Sequence, residues 1–304
     1  MKQNQRNILA AVICHTFWGM SFLASRTALN SAPVIVLLSH RFLLAFCTMS
    51  LLLPVPELGC HLRKKDLKPL ILLGLIEPVI YFFGEQYGIL HSTTSFSGVM
   101  ISIIPIVSTL AAVPVLGEKP TAGQLFFSIL SVGGVVGIGL LNKNSGALDW
   151  IGVSGLLVAV FSAAAYTLLN RNIVVHYTPF ERSYMMLAVG AVVFTVLAFF
   201  QVHGKAEEYM KPLSVPGYRV SVIFLSICCS VICYFLSSYV LTSLSVARST
   251  VFANLTTAVS VIAGVLILHE PFSPVGFICC ILILFGIYGV QKTARNERIS
   301  PKCQ

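Results

Sequence analysis

What this sequence has least of is charge. Of its 304 residues only 10% are Asp, Glu, Lys or Arg, and the acids number 11. A water-soluble domain carries about a quarter charged residues, because its surface must meet water. The shortage excludes a soluble globule, and with 56% hydrophobic residues the surplus apolar surface must face lipid. Long polar stretches are also missing. No connection between apolar runs exceeds about 20 residues, too short for a soluble domain, which takes about 50 or more. A phosphate-binding Gly-rich loop ending in Lys-Ser or Lys-Thr is absent, so nothing points to ATP hydrolysis. Paired metal-ligand motifs are absent as well. Most of the nine cysteines (Cys14, Cys47, Cys60, Cys228, Cys229, Cys233, Cys279, Cys280, Cys303) lie inside apolar runs, where cysteine acts as a small hydrophobe. Their odd number argues against a disulfide framework. Neither a metal nor a cofactor is expected.

What the chain does have is apolar runs long enough to cross a membrane, which takes about 20 residues of helix for a core of about 30 Å. Ten are read: Ile8–Ala28, Val34–Leu53, Pro69–Leu90, Phe96–Leu116, Gln124–Leu141, Ile151–Asn170, Tyr184–Phe200, Val220–Leu241, Thr250–Leu268 and Val275–Val290. Each is apolar all round, without the alternation of a barrel strand, and helices satisfy their own backbone groups in lipid. The first run, preceded by Lys2 and Arg6, is expected to be a retained helix rather than a signal peptide, because nine more follow.

Basic residues collect on the cytoplasmic side of short loops. With the N-terminus inside, the inner segments hold Lys2, Arg6, Arg63, Lys64, Lys65, Lys68, Lys119, Arg171, Arg182, Lys292, Arg295, Arg298 and Lys302. The outer loops hold only Lys143, Lys205, Lys211 and Arg219. Both termini are therefore expected in the cytoplasm of a multi-pass protein of the cell membrane. The net charge of +9 follows from this bias and from attraction to anionic lipid; no nucleic-acid partner is implied.

The two halves echo each other. A shift of 152 residues puts Glu118 on Glu270, and Gly134 and Gly137 on Gly286 and Gly289. A shift of 153 puts Tyr81-Phe82 on Tyr234-Phe235, one of 146 puts Pro33 on Pro179, and one of 145 puts Arg26 on Arg171. Units of five helices are odd-numbered, so the second enters the membrane from the opposite side. The expected fold is an all-α integral membrane protein of ten transmembrane helices in two five-helix inverted-topology repeats, residues 1–145 and 146–304. Inverted repeats are typical of secondary transporters, with the substrate site between the repeats near the midplane.

Phe17-Trp18-Gly19-Met20-Ser21, His40-Arg41-Phe42-Leu43-Leu44-Ala45, Ile104-Pro105-Ile106 with Leu116-Gly117-Glu118, and the Glu270-Pro271 echo carry a family resemblance. Over nearly its whole length the chain resembles the drug/metabolite transporter superfamily, of the EamA-like type. The resemblance implies export, or less often import, of amino acids, nucleotide-like compounds, sugars or other metabolites. Thr256-Thr257-Ala258 stands where the first half has Ile104-Pro105-Ile106, so the proline break is missing from the second half.

Ionisable groups at membrane depth are costly and mark functional candidates. The first three spans hold His15, Arg26, His40, Arg41, Glu77 and Glu85, whereas the interiors of the later spans hold none. Glu77, Tyr81 and Glu85 follow at i, i+4 and i+8 on one helix stripe, and Pro78 bends the helix beside Glu77. A carboxyl in low dielectric could exchange a proton near neutral pH. The acids could thus couple protons or bind an amine, or they could form fixed ion pairs with Arg26, Arg41 or His40. Arg41 keeps its charge and needs a partner: a substrate carboxylate, or Glu77 or Glu85. Arg26 and Arg171 read as snorkelling anchors. His15, Trp18 or Gly19, Phe22 and Arg26 share one face of the first span. Trp18 could stack on an organic substrate or anchor at the interface, and His15 could titrate or simply bond a neighbouring helix. Among Ser95, Ser97, Asn254, Thr256 and Thr257, Asn254 is the residue expected to face substrate, since its amide needs more partners. Glu118 and Glu270 read as helix-start caps, and Gly133, Gly134, Gly137, Gly286 and Gly289 as close-packing positions. Spans five and ten are expected to be peripheral.

The function expected is that of a secondary transporter, not an enzyme, with a small-molecule substrate, the lipid bilayer as environment and protons as the candidate coupling ion. It would act as a monomer or a homodimer. The rival class is a membrane-embedded lipid-modifying enzyme, or a scaffold. The loops Gln201–Arg219 and Pro54–Lys68 lack the His-rich or acidic cluster such an enzyme would need, and a scaffold would not explain buried acids.

Overall fold

The computed structural model describes residues 3–55, 66–91, 100–101, 103–117, 119–141, 150–259 and 274–293. Among them regular structure is helical throughout. The helices are α1 (Gln3–Leu29), α2 (Val34–Ser50), α3 (Lys68–Gly74, a π-helical turn Leu75–Ile80, then Tyr81–Leu90), α4 (Ile104–Leu116) and α5 (Ala122–Leu141). There follow α6 (Trp150–Asn172), α7 (Pro179–Gln201), α8 (Pro216–Ser226, a π-helical turn Ile227–Ile232, then Cys233–Ser243), α9 (Val246–Thr250, with 253–259 helical after it) and α10 (Pro274–Thr293). Five are long and apolar enough to cross a membrane: Gln5–Leu29, Lys68–Gln86, Trp150–Val175, Pro179–Gln201 and Pro216–Ser243. Val34–Ser50, Ile104–Leu116, Ala122–Gly134 and Phe277–Val290 are shorter apolar helices. Large apolar side chains such as Phe126, Phe161, Val192, Phe199 and Tyr288 remain exposed, as lipid-facing positions of a multi-pass membrane protein should.

Local chemistry sets the helix limits. Thr178 caps α7: its hydroxyl accepts the Glu181 N–H at 3.2 Å while the Glu181 carboxylate accepts the Thr178 N–H at 2.9 Å. Pro179 fits the first turn, where no N–H is needed. The seventh span thus begins at Pro179, five residues before the Tyr184 read from hydropathy. Arg182, assigned above to an inner segment, is drawn inside together with Glu181, and both are fully buried. Arg182 donates to the Asn170 carbonyl at 3.0 Å, to Asn170 Oδ1 and to the Ser238 carbonyl at 2.8 Å, tying α6, α7 and α8 together at one end. Arg171 is no snorkelling anchor either. It is buried and donates to the Leu241 carbonyl.

Backbones approach closely where side chains are absent. A Cβ on Gly84 would lie 2.6 Å from the Gly155 carbonyl, and one on Gly155 would lie 2.9 Å from the Gly84 carbonyl, so α3 and α6 cross backbone to backbone. Such small-residue crossings let membrane helices gain dispersion contacts. α5 and α10 pack mainly against each other, with Gly134 and Gly286 in similarly close contact. Gly133 is an exception to the expected close packing, having nothing within 4 Å of its Cβ position. The expectations for Ser95, Ser97, Glu118 and Glu270, and for the side chains of Phe22 and Arg26, lie outside the described residues.

Substituting Gly155→Leu should therefore destabilise the bundle by about 1–3 kcal/mol or more through overpacking, whereas Gly133→Ala should leave it unchanged. Thermal unfolding of the two variants in detergent, followed by tryptophan fluorescence, checks both.

Candidate functional site

The third helix is broken where its sequence demands it. Pro78 has no N–H to continue the ladder, and its ring disfavours helical backbone in the preceding residue. Glu77 accordingly has φ −142° and ψ 120° inside an otherwise helical run. The break exposes backbone that lipid cannot satisfy. The Ser162 hydroxyl of α6 supplies a donor, reaching the Ile76 carbonyl at 2.6 Å. On the other side α7 closes in: a Cβ on Gly190 would meet the Pro78 ring at 2.7 Å. The kink is thus clamped between α6 and α7, with Glu77 beside it.

Three charged groups gather at this level, each largely buried: Glu77 at 7% exposure, Glu85 at 8% and Arg41 at 5%. Tyr81 donates to Glu85 at 2.9 Å, as the i, i+4 spacing allows. Glu77 lies within electrostatic reach of Tyr234 of α8, of Glu85 and of Tyr166 on α6. Arg41 Nε donates to the Ser230 hydroxyl at 2.9 Å, and Ser230 donates its own proton to the Leu225 carbonyl at 2.9 Å, inside the π-helical turn of α8. The Arg41 guanidinium also lies 4.9 Å from the Phe82 ring centroid, in cation–π range. It is within electrostatic reach of Glu85, yet no pair within 4.0 Å joins it to either acid. The fixed ion pairs considered from sequence are thus not formed by Arg41. His40 turns elsewhere, its Nδ1 lying 2.8 Å from the Tyr218 hydroxyl.

Trp18 sits in the middle of α1, half-buried, with Nε1 donating to the Cys229 carbonyl at 2.9 Å and its ring 6.0 Å from that of Tyr234. His15 makes edge contact with Trp18 at 5.0 Å, and its Nδ1 lies 3.2 Å from the Thr256 hydroxyl of α9. The chain His15–Trp18–Tyr234–Glu77 therefore runs from α9 to the broken helix. Asn254 stands apart from it. It is fully buried and donates to Ser131 of α5 at 3.0 Å, and Ser131 donates to the Ile283 carbonyl of α10 at 3.3 Å. The structure thus brings together Glu77, Tyr81, Glu85, Arg41 and Trp18, with His15 at the margin. Asn254 sits instead in the contact of α9 with α5 and α10.

Tyr234, Tyr166 and Ser230 escaped the reading for charged groups because they are neutral. The repeat offset of 153 marks two of them, placing Ser230 on Glu77 and Tyr234 on Tyr81, without assigning either to the site. The π-helical turns repeat the pattern, Leu75 and Ile227 lying 152 residues apart.

The model of the EamA-like transporter family matches residues 5–140 and again 150–291. The chain belongs to this family. As an EamA-like transporter it is similar to the uncharacterized transporter YcxC of Bacillus subtilis (strain 168), 30% identical over 92% of this chain and 91% of that one. It is also similar to a probable terminal-alkyne amino-acid exporter of Streptantibioticus cattleyicolor, 24% identical over 96% of this chain and 95% of that one. A solved crystal structure superposes with a TM-score of 0.79 at 16% identity, covering 96% of this chain and 98% of the other, which shows the shared fold. Family and apolar helices together make this a multi-pass membrane transporter, with a small molecule as its substrate and the bilayer as its environment.

Replacing Ser162 by Ala removes the donor at the kink and leaves the Ile76 carbonyl short of a partner in a dry environment. A loss of about 1–3 kcal/mol of stability is expected. Urea or thermal unfolding of Ser162→Ala beside wild type measures it.

Proposed function

We propose that this chain is a secondary transporter that exports a small metabolite, an amino acid or a related compound, across the cytoplasmic membrane. A proton gradient drives it, or it acts by facilitated diffusion. In this reading ten spans form two inverted five-helix units, residues 1–145 and 146–304, with both termini in the cytoplasm. What supports the units is the twofold family match, the shared offset of the sequence echoes and the π-helical turns in α3 and α8. The likeness to a named amino-acid exporter supports the substrate class and the direction.

One observation carries the site: two buried acids and a buried arginine converge on a helix broken at Glu77, with no direct ion pair between them. Unlike charges are rarely retained at membrane depth without neutralising one another unless another ligand does so. Arg41 suits a carboxylate and Glu77 or Glu85 an amine or a proton, while Tyr81 and Trp18 offer aromatic faces. In alternating access the acid exchanges its proton on one side and substrate on the other.

The test is uptake and counterflow in proteoliposomes with a panel of labelled amino acids and related metabolites, for wild type and Glu77→Gln. One pH unit is worth ~1.4 kcal/mol, so one proton per substrate sustains up to about tenfold accumulation per unit of gradient. Glu77→Gln should lose that accumulation and keep counterflow. Wild-type vesicles that move nothing in the panel would overturn the substrate class. A mutant that still accumulates would remove Glu77 from coupling.

A further inference from the structure

The polar stripe of α3 has a neutral counterpart on α8, and the structure sets two of its members, Ser230 and Tyr234, beside the charges of the first half, while Ser238 faces Asn170 and Ser183. Glu77, Tyr81 and Glu85 form one stripe of α3; Ser230, Tyr234 and Ser238 are the same stripe of α8 shifted by 153 residues. Tyr81 donates to Glu85 on its own helix, while Tyr234, buried with its ring 6.0 Å from that of Trp18, lies within electrostatic reach of Glu77 across the halves. Ser230 takes the Arg41 Nε–H. One turn of α8 therefore separates the group that takes the Arg41 Nε–H from the tyrosine that faces Glu77.

We infer that α8 is the second wall of the site, with Tyr234 a positioning residue for Glu77 and Ser230 a positioning residue for Arg41. This rests on the transporter reading above. The hydroxyl chemistry fits. The Ser230 proton is committed to Leu225, so its oxygen can only accept, which is what an arginine requires. A phenol can donate to an ionised carboxylate and accept from a protonated one, so Tyr234 can follow Glu77 through a proton exchange without leaving it unpartnered. Movement of α8 against α2 and α3 alters both contacts together, and this links the charge state of Glu77 to the arrangement of the halves.

The groups that face Glu77 are few. Its own helix brings Glu85 and Tyr81, α8 brings Tyr234, and α6 brings Tyr166. α2 brings Arg41, nearer to Glu85 and Tyr234, while α7 meets the kink through Val189 and Gly190. Trp18, 6.0 Å from Tyr234, reports on this cluster, and the other tryptophan of the chain, Trp150, is exposed.

Two measurements test the inference. In Trp150→Phe protein, the fluorescence of Trp18 is titrated with pH in detergent, without any substrate. An inflection is expected that Glu77→Gln abolishes and Tyr234→Phe displaces by about half a pH unit or more; Tyr234→Phe keeps the ring, so folding is preserved. A titration unchanged by Tyr234→Phe, or no Glu77-dependent inflection at all, would overturn the role of Tyr234. In proteoliposomes, Ser230→Ala should raise KM about fivefold or more with kcat altered less than about twofold. Equal KM values for Ser230→Ala and wild type would overturn the role of Ser230. Wild type that transports nothing defeats the proposed function, and the fluorescence titration still decides the placement of Tyr234.

Discussion

The proline at position 78 cannot donate a hydrogen bond, and in lipid a lost backbone bond must be replaced by something else. Much of the centre of this protein is arranged around that requirement. Glu77 takes extended backbone, Ser162 of α6 reaches the Ile76 carbonyl, and α7 brings Gly190 against the proline ring. The kink thereby stands where three helices meet, and its acid points to a fourth, α8. A straight α3 would have run on past this level without widening its turn at Leu75–Ile80.

The halves share a scaffold and divide its chemistry. α3 and α8 both widen into a π-helical turn, and both carry a tyrosine one turn after the equivalent polar position. In the first half that position is a glutamate; in the second it is a serine whose hydroxyl serves an arginine from the first half. Around the kink the charges thus come from α2 and α3 and are met by neutral hydroxyls of α8, which avoids further ions at that level in low dielectric. A second polar knot, Arg182 with Asn170 and Ser238, binds α6, α7 and α8 at one end. Asn254 does similar work between α9, α5 and α10 through Ser131 and Ile283.

Hydropathy and the cost of charge made the helical membrane class legible, and the residue echoes pointed to the family. The acids of α3 and Arg41 stood out because nothing else in their surroundings is charged. Helix starts were less visible: Pro179 and the Thr178–Glu181 capping box lie in a polar stretch that hydropathy reads as loop, so Arg182 was left outside the bundle. Trp18 and Asn254 illustrate the limit of helix-face reasoning. The first turns toward Tyr234 and the second toward Ser131, a distinction made by neighbouring helices rather than by the segment itself. Tyr166 offered no sequence signal, since its value lies in meeting Glu77 from another helix.

The most direct test of where this transporter binds its substrate is ligand-induced thermal stabilisation, measured in detergent on wild type, Glu77→Gln, Arg41→Met and Asn254→Ala. A compound at 100 times its Kd stabilises the folded state by ~2.7 kcal/mol. The stabilisation should vanish in Arg41→Met and persist in Glu77→Gln, which keeps counterflow, and in Asn254→Ala. Stabilisation that survives in Arg41→Met but is lost in Asn254→Ala would contradict a site built beside the broken third helix.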